Sequence, residues 1–272
     1  MGLLSKMIEK AIHDGFSYED AEAKVCQDII LQALAKSSFS KNVTIKGGVV
    51  MRSISGDARR ATQDIDLDFI RFPLKNEAIS DFIKKLNCLE DLTIEQISDP
   101  TDLKQQDYHG KRVYIRIIDS SKDSIDSKID IGIHKNISIE QEEYCFDICK
   151  DDSGASLLIN SKEQIFTEKL RSLLKFANYS TRYKDVFDMC YLIDYVDQEK
   201  LISCLSTLIF TDDAIKENNI TDIRARLQRA FTDDIYLSHL TQSKQNWLGI
   251  EGKDAVSKID QYLESIEYSN NE

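Results

Sequence analysis

Three aspartates alternate with apolar residues in the run Asp64-Ile65-Asp66-Leu67-Asp68-Phe69. In an extended strand Ile65, Leu67 and Phe69 point one way, into a core, and the three carboxylates point the other. Like charges on one face repel, and each carboxyl gains a raised pKa unless a cation offsets the repulsion. Divalent metal is such a cation, since Mg²⁺ takes oxygen ligands and is held by one or two carboxylates plus substrate phosphates and water. Two such ions roughly 3.5 to 4 Å apart activate an attacking oxygen and stabilise a leaving one. A further carboxylate comes from Lys128-Ile129-Asp130-Ile131-Gly132-Ile133, where the same alternation puts Asp130 opposite the isoleucines and Gly132 leaves room beside it. Upstream, Lys46-Gly47-Gly48 reads as a strand-to-helix turn. Its backbone N–H groups can approach a phosphate at the positive end of a helix dipole. Arg60 and Thr62 lie between these glycines and the aspartates. A Gly-Gly pair alone is also a plain turn, and alternating aspartates alone are also a solvated strand face. The order turn, helix, carboxylate strand, second carboxylate strand is what points to a triphosphate site with metal at Asp64, Asp66 and Asp130.

A second cluster follows: Glu168-Lys169, Arg171, Arg182, Lys184, Asp185 and Asp188. From Lys162 to Lys184 six basic side chains stand against two acidic ones. One reading is a pair of solvated helix faces with internal ion pairs. The other is that Lys169, on a half-exposed helix, and Arg182 cross to the metal site and compensate triphosphate charge. On that second reading, replacing Lys169 weakens triphosphate binding more than folding. Cys145 and Cys149 lack the further ligands that would complete a zinc site.

These residues need elements to position them. Apolar spacing predicts helices over Leu3–Ile12 and, behind the capping sequence Ser17-Tyr18-Glu19-Asp20, over Tyr18–Ala35. Val43–Ile45, Asp64–Phe69, Val113–Ile118 and Lys128–Ile133 read as strands, Gly47-Gly48 as a turn, Val49–Ile54 as the start of a helix, and Asn76–Leu86 as a helix. Beyond about Ser156 strand signals stop. Ser161-Lys162-Glu163-Gln164 is a capping box, and helical spacing continues over Tyr183–Tyr195, Glu199–Phe210, Thr221–Phe231 and Lys253–Ile266. Trp247 reads as core. The expected architecture is α+β, a mixed sheet with flanking helices over residues 1–157, followed by a helical domain over 158–272.

Composition agrees with a folded enzyme. The 272 residues are 42% apolar and 30% charged, which argues against a disordered tail, a collagen-like rod or a membrane bundle. Forty-seven acidic against 35 basic residues give a net charge of −12, so the overall field does not favour coating nucleic acid, although a local basic groove remains compatible. The N-terminus lacks a signal-peptide pattern, and no run of about 18 apolar residues suggests a spanning helix. The six cysteines read as reduced, mostly buried thiols of a cytoplasmic protein.

Between Val43 and Ile193 the sequence resembles the AbiEii/AbiGii-type nucleotidyltransferase toxins of bacterial abortive-infection and toxin–antitoxin systems. The resemblance rests on Lys46-Gly47-Gly48 with Arg60-Ala61-Thr62-Gln63-Asp64-Ile65-Asp66-Leu67, on the Asp130 strand, and on Glu168-Lys169 with Arg182-Tyr183-Lys184-Asp185-Val186-Phe187-Asp188. Lys184 stands where the family often has Arg, and Val49 where Thr or Ser is commoner. The resemblance implies a polymerase-beta-type nucleotidyltransferase fold and transfer of a nucleotide from an NTP, in some members to the acceptor end of tRNA. It implies Asp64 and Asp66 as Mg²⁺ ligands, with Asp130 completing the site and accepting the proton of the attacking hydroxyl. Lys46, Lys169 and Arg182 are implied to contact phosphates, Gly47, Gly48, Arg60 and Thr62 to line the nucleotide, and Asp185 to position. The implied partner is an antitoxin with a winged-helix DNA-binding domain. Alternative readings are nucleotidyl transfer to a protein or small molecule, and a non-catalytic interaction protein that retains the fold.

Overall fold

The computed structural model describes residues 2–103, 110–136, 138–149 and 151–269, the side chains at 151, 152 and 267–269 excepted. Met1 lies outside this set. The chain divides into two compact units, Met1–Asn160 and Ser161–Glu272.

The first unit runs α1 (Leu3–His13), α2 (Tyr18–Lys36), β1 (Val43–Lys46), α3 (Gly47–Ser55), a 3-10 turn (Ala58–Arg60), β2 (Ile65–Phe69) and α4 (Asn76–Lys85). It continues with β3 (Leu92–Gln96), β4 (Thr101–Asp102), β5 (Lys111–Asp119), β6 (Ser124–Ile133), β7 (Glu142–Ile148) and β8 (Asp151–Ile159). All eight strands join one mixed sheet in the order β3-β5-β6-β2-β1-β8-β7, with β4 pairing β5. Only β1–β8 and β2–β6 are parallel, and both pairs lie at the centre of the sheet. The alternation expected in β2 and β6 is realised: Ile65, Leu67, Phe69, Ile129 and Ile131 are wholly buried. Each such side chain contributes roughly 1.5 to 3 kcal/mol relative to exposure. Phe69 meets Phe82 of α4 edge to face at 5.0 Å, which seats that helix against the sheet. Helix α2 starts at the Ser17 cap, whose side chain accepts from the Asp20 N–H, and is buried along most of its length, Gln27, Asp28 and Gln32 included.

Some elements differ from the sequence reading. The glycine pair is not a free turn, because α3 begins at Gly47 itself. Strand β8 continues to Ile159, beyond the Ser156 at which the sequence reading ends strand signals, and its pairing to β1 at Thr44↔Leu158 and Ile45↔Ile159 holds it in the sheet. β3 and β7 alternate buried and exposed residues over stretches that the sequence reading passed over, and β4 is only two residues long; the ladders to β5 and β8 fix them in the sheet. Three cysteines, Cys26, Cys190 and Cys204, are buried, whereas Cys88 and Cys145 are exposed and Cys149 is intermediate, so the thiols are not mostly buried.

The second unit is helical throughout its described residues: α5 (Lys162–Phe176), α6 (Tyr183–Leu192), α7 (Gln198–Leu205), α8 (Ile220–Phe231), α9 (Asp234–Gln242) and α10 (Gly252–Ser269). Ser161 caps α5 by accepting the Gln164 N–H at 3.1 Å, while the Gln164 side chain turns to Glu168 at 2.9 Å and leaves the box half made. Ser206–Phe210 extends α7 as a π turn. Helix α9 escaped the sequence reading because only Tyr236, Leu237 and Leu240 of its nine residues are buried. Among the described residues no helix is long and apolar enough to cross a membrane.

Candidate active site

Strand register builds the site. β1 and β2 pair Lys46 with Asp66, β2 and β6 pair Asp66 with Asp130, and β6 and β5 pair Asp130 with Arg112. Four adjacent strands thus set Lys46, Asp66, Asp130 and Arg112 in one transverse row on the face opposite the apolar core. The neighbouring positions extend the ridge: Lys46 Nζ lies 2.6 Å from Asp68, and Lys128 Nζ lies 2.9 Å from Asp64. Arg112 grips Asp130 through a two-pronged bond, Nε to Oδ1 and Nη2 to Oδ2, both at 2.7 Å. Asp64, Asp66, Asp68 and Asp130 are therefore set against Lys46, Lys128 and Arg112.

Asp66 bears the electrostatic cost. Burial pushes its carboxyl up to about 6, Lys46 opposes that rise, and the charges of Asp130, Asp64 and Asp68 add to it. Asp130 has the opposite effect on Arg112, whose guanidinium is held above its usual range chiefly by the hydrogen bond to this carboxylate.

The glycines face this ridge. Gly47 has φ +65°, and a Cβ there would stand 2.5 Å from Asp66 Oδ2, so glycine is required by conformation and by space. A Cβ on Gly48 would run into the Thr62 side chain. Backbone at the start of α3 consequently lies directly against Asp66 and Thr62. Gln27 Nε2 donates to the Thr62 carbonyl at 2.7 Å, and Arg52 of α3 binds Gln27 Oε1 and Asp28, tying α2, α3 and the Thr62 loop together. Burial lowers the Arg52 pKa, an effect that Asp28 offsets and the nearby Arg60 reinforces. Arg60 is itself 2% exposed.

In the helical unit Lys169 is buried, not half-exposed. Its Nζ sits 2.7 Å from Asp185 and 2.8 Å from Asp188. Arg182 Nε reaches Asp185 Oδ2 at 2.5 Å, and the Trp247 indole donates to Asp188 Oδ1 at 3.0 Å. Burial works against the charged form of Asp185, but Lys169 and Arg182 outweigh it and hold the carboxyl below its usual range. Arg171 pairs with Asp212, so much of the basic surplus counted along α5 and α6 is met by acids of the same unit.

Sequence reasoning placed Lys46, Gly47, Gly48, Arg60, Thr62, Asp64, Asp66, Asp130, Lys169, Arg182 and Asp185 in one site; the fold sets Lys46, Asp66 and Asp130 in one row of one sheet with Gly47 against Asp66 and Gly48 against Thr62, pairs Asp64 with Lys128, and buries Arg60. It groups Lys169, Arg182 and Asp185 with one another. Missed were Arg112, Lys128 and the Gln27-Asp28-Arg52 network. Arg112 carried a signal: with Tyr114 it alternates with the apolar Val113 and Ile115 on a strand, on the face that a neighbouring carboxylate strand would share.

Asp66 and Asp130, adjacent in register, have the donor chemistry of a hard divalent ion. No group of three or more His, Cys, Asp or Glu converges to hold a metal among the described residues.

The start of a helix opened by glycine thus stands against a row of carboxylates and their cationic partners. The chain belongs to the nucleotidyl transferase AbiEii toxin family of type IV toxin–antitoxin systems, whose family model matches residues 29–264. That membership bears out the sequence resemblance and implies an antitoxin partner. Comparison with the curated proteins finds no match. Among solved structures, an antigenic nucleotidyltransferase-like protein from Paracoccidioides brasiliensis superposes with a TM-score of 0.43 at 16% identity, covering 80% of this chain and 91% of that one.

Proposed function

We propose that the protein is a Mg²⁺-dependent nucleotidyltransferase that moves a nucleotide from an NTP onto the 3′ end of tRNA, blocking translation. In this reading it is a cytoplasmic toxin whose antitoxin carries a winged-helix DNA-binding domain. The observation that carries the reading is the row Lys46-Asp66-Asp130, in register on three strands, with the backbone of Gly47 against Asp66. Bound Mg²⁺, as one ion or two, would neutralise triphosphate charge and polarise the transferring phosphoryl group. Asp64, Asp66 and Asp130 would hold it, and Asp130 would also take the proton of the attacking hydroxyl. Gly47 and Gly48 present N–H groups at the start of α3 to the phosphates, and Lys46, Arg60 and Thr62 flank them. In the helical unit Lys169 is committed to two carboxylates. Arg182, with 62% of its side chain exposed, is the member of that cluster more available to a phosphate, and Asp185 fixes its position.

The test is incubation with each labelled NTP and Mg²⁺, in the presence of total RNA or of lysate protein. Label at tRNA 3′ ends, lost in Asp66→Asn, is expected. Label in protein and none in RNA would replace the tRNA acceptor by a protein, a second reading favoured by the net charge of −12. No label from any NTP, with toxicity retained in Asp66→Asn, would make this a binding protein on the same fold.

A further inference from the structure

Arg112 lies outside every motif that marks the site, yet it makes a two-pronged contact there. Its guanidinium fork takes both oxygens of Asp130 at 2.7 Å, so neither oxygen is without a partner. Asp130 is 8% exposed and flanked on β6 by wholly buried Ile129 and Ile131, so the carboxylate has little freedom to turn away. The Arg112 side chain is 29% exposed, against 10% for its partner, so the arginine is the member that can leave. It sits on β5 at the outer end of the row, with a path to solvent that Lys46 and Asp68, at 11% and 8%, do not have.

We propose that Arg112 is a positioning residue that latches Asp130: it keeps the carboxylate compensated and correctly turned while no metal is bound, and must give up the fork for Asp130 to ligate. The inference rests on the metal reading of the ridge. It predicts competition: whatever weakens the fork strengthens divalent-ion binding. A plain field effect would also respond to loss of the positive charge, but would not respond to a change of shape at constant charge. Lysine makes that change, because it keeps the charge and cannot fork.

The experiment is direct titration of the full-length protein with Mn²⁺, read by electron paramagnetic resonance of the free ion, for wild type, Arg112→Lys, Arg112→Gln and Asp66→Asn, each checked for folding by thermal melting. Breaking a charge-assisted pair of this kind should tighten Mn²⁺ binding roughly tenfold in both Arg112 variants. Tightening in Arg112→Gln with wild-type affinity in Arg112→Lys overturns the latch in favour of a field effect. Wild-type affinity in both variants, with binding still lost in Asp66→Asn, overturns the latch and leaves the metal site standing. Binding that survives Asp66→Asn unchanged, or no Mn²⁺ binding by any of the proteins, overturns the metal reading and the latch with it. Should Arg112→Gln fail to fold, Arg112→Lys alone decides, since tightening there supports the latch and wild-type affinity overturns it.

Discussion

Asp66 is the residue on which charge, fold and chemistry meet. Its carboxyl, normally near 3.8, is pushed up to about 6, so between about pH 4 and 6 the folded protein holds a proton there that the unfolded chain has released. A raised folded pKa means stability that is full below the unfolded value and lost as pH rises through the folded one. At about 1.4 kcal/mol per pH unit the strain approaches 3 kcal/mol at neutral pH. Asp66→Asn, which cannot ionise, should therefore melt higher than wild type in EDTA at about pH 8, and the advantage should vanish near pH 4. Equal melting at both pH values would show that the ridge does not strain this carboxyl. Lys169 makes the opposite case. Removing it leaves Asp185 and Asp188 buried without their shared cation, so Lys169→Ala should cost about 3 to 5 kcal/mol in urea denaturation. This reverses the expectation from sequence, where helical spacing reveals a stem but not the two acids that close over its end. Gly47 behaves as its type suggests: Gly47→Ala must adopt φ +65° and clear Asp66, and should lower both stability and NTP affinity, measured by melting and equilibrium binding.

At the scale of elements, period-two alternation made β2 and β6 readable, and with them the shared face of Asp64, Asp66 and Asp130. What alternation cannot give is which strands lie side by side. The β2–β6 parallel pairing spans more than fifty residues of sequence, and only that pairing sets Asp66 beside Asp130 and Arg112 within reach. Helix α3 shows the same limit. Its glycines were visible, but the side chains that anchor it, Gln27 and Asp28, come from a helix whose buried polar positions look like ordinary surface in sequence. Arg52→Ala should loosen α3 against α2, destabilise the fold, and raise the KM for NTP more than it lowers kcat. A loss confined to stability, with KM unchanged, would show that α3 needs no such brace.

At the scale of the molecule, each unit has its own core. Ile45, Leu67, Phe69, Ile129 and Phe146 fill the first; Phe166, Leu170, Phe187, Leu205 and Ile259 fill the second. A chain ending at Asn160 should therefore unfold cooperatively by circular dichroism and, on the proposed function, still bind Mn²⁺. Non-cooperative melting of that fragment would show that the boundary does not separate independent folding units. The change from strand texture to helical spacing near Ser161 was legible in sequence because the Ser161 cap marks it. The chemistry of the last hundred residues was not, since a tryptophan holding an aspartate across 59 positions has no local pattern.

That same indole gives the protein a built-in optical probe. Trp247 is the sole tryptophan, and its N–H ends on the carboxylate that shares Lys169 with Asp185. Red-edge fluorescence therefore comes from one chromophore whose emission wavelength follows the electric field of that ion cluster. Any change at that cluster becomes visible in unlabelled protein, without a dye, a tag or a turnover assay.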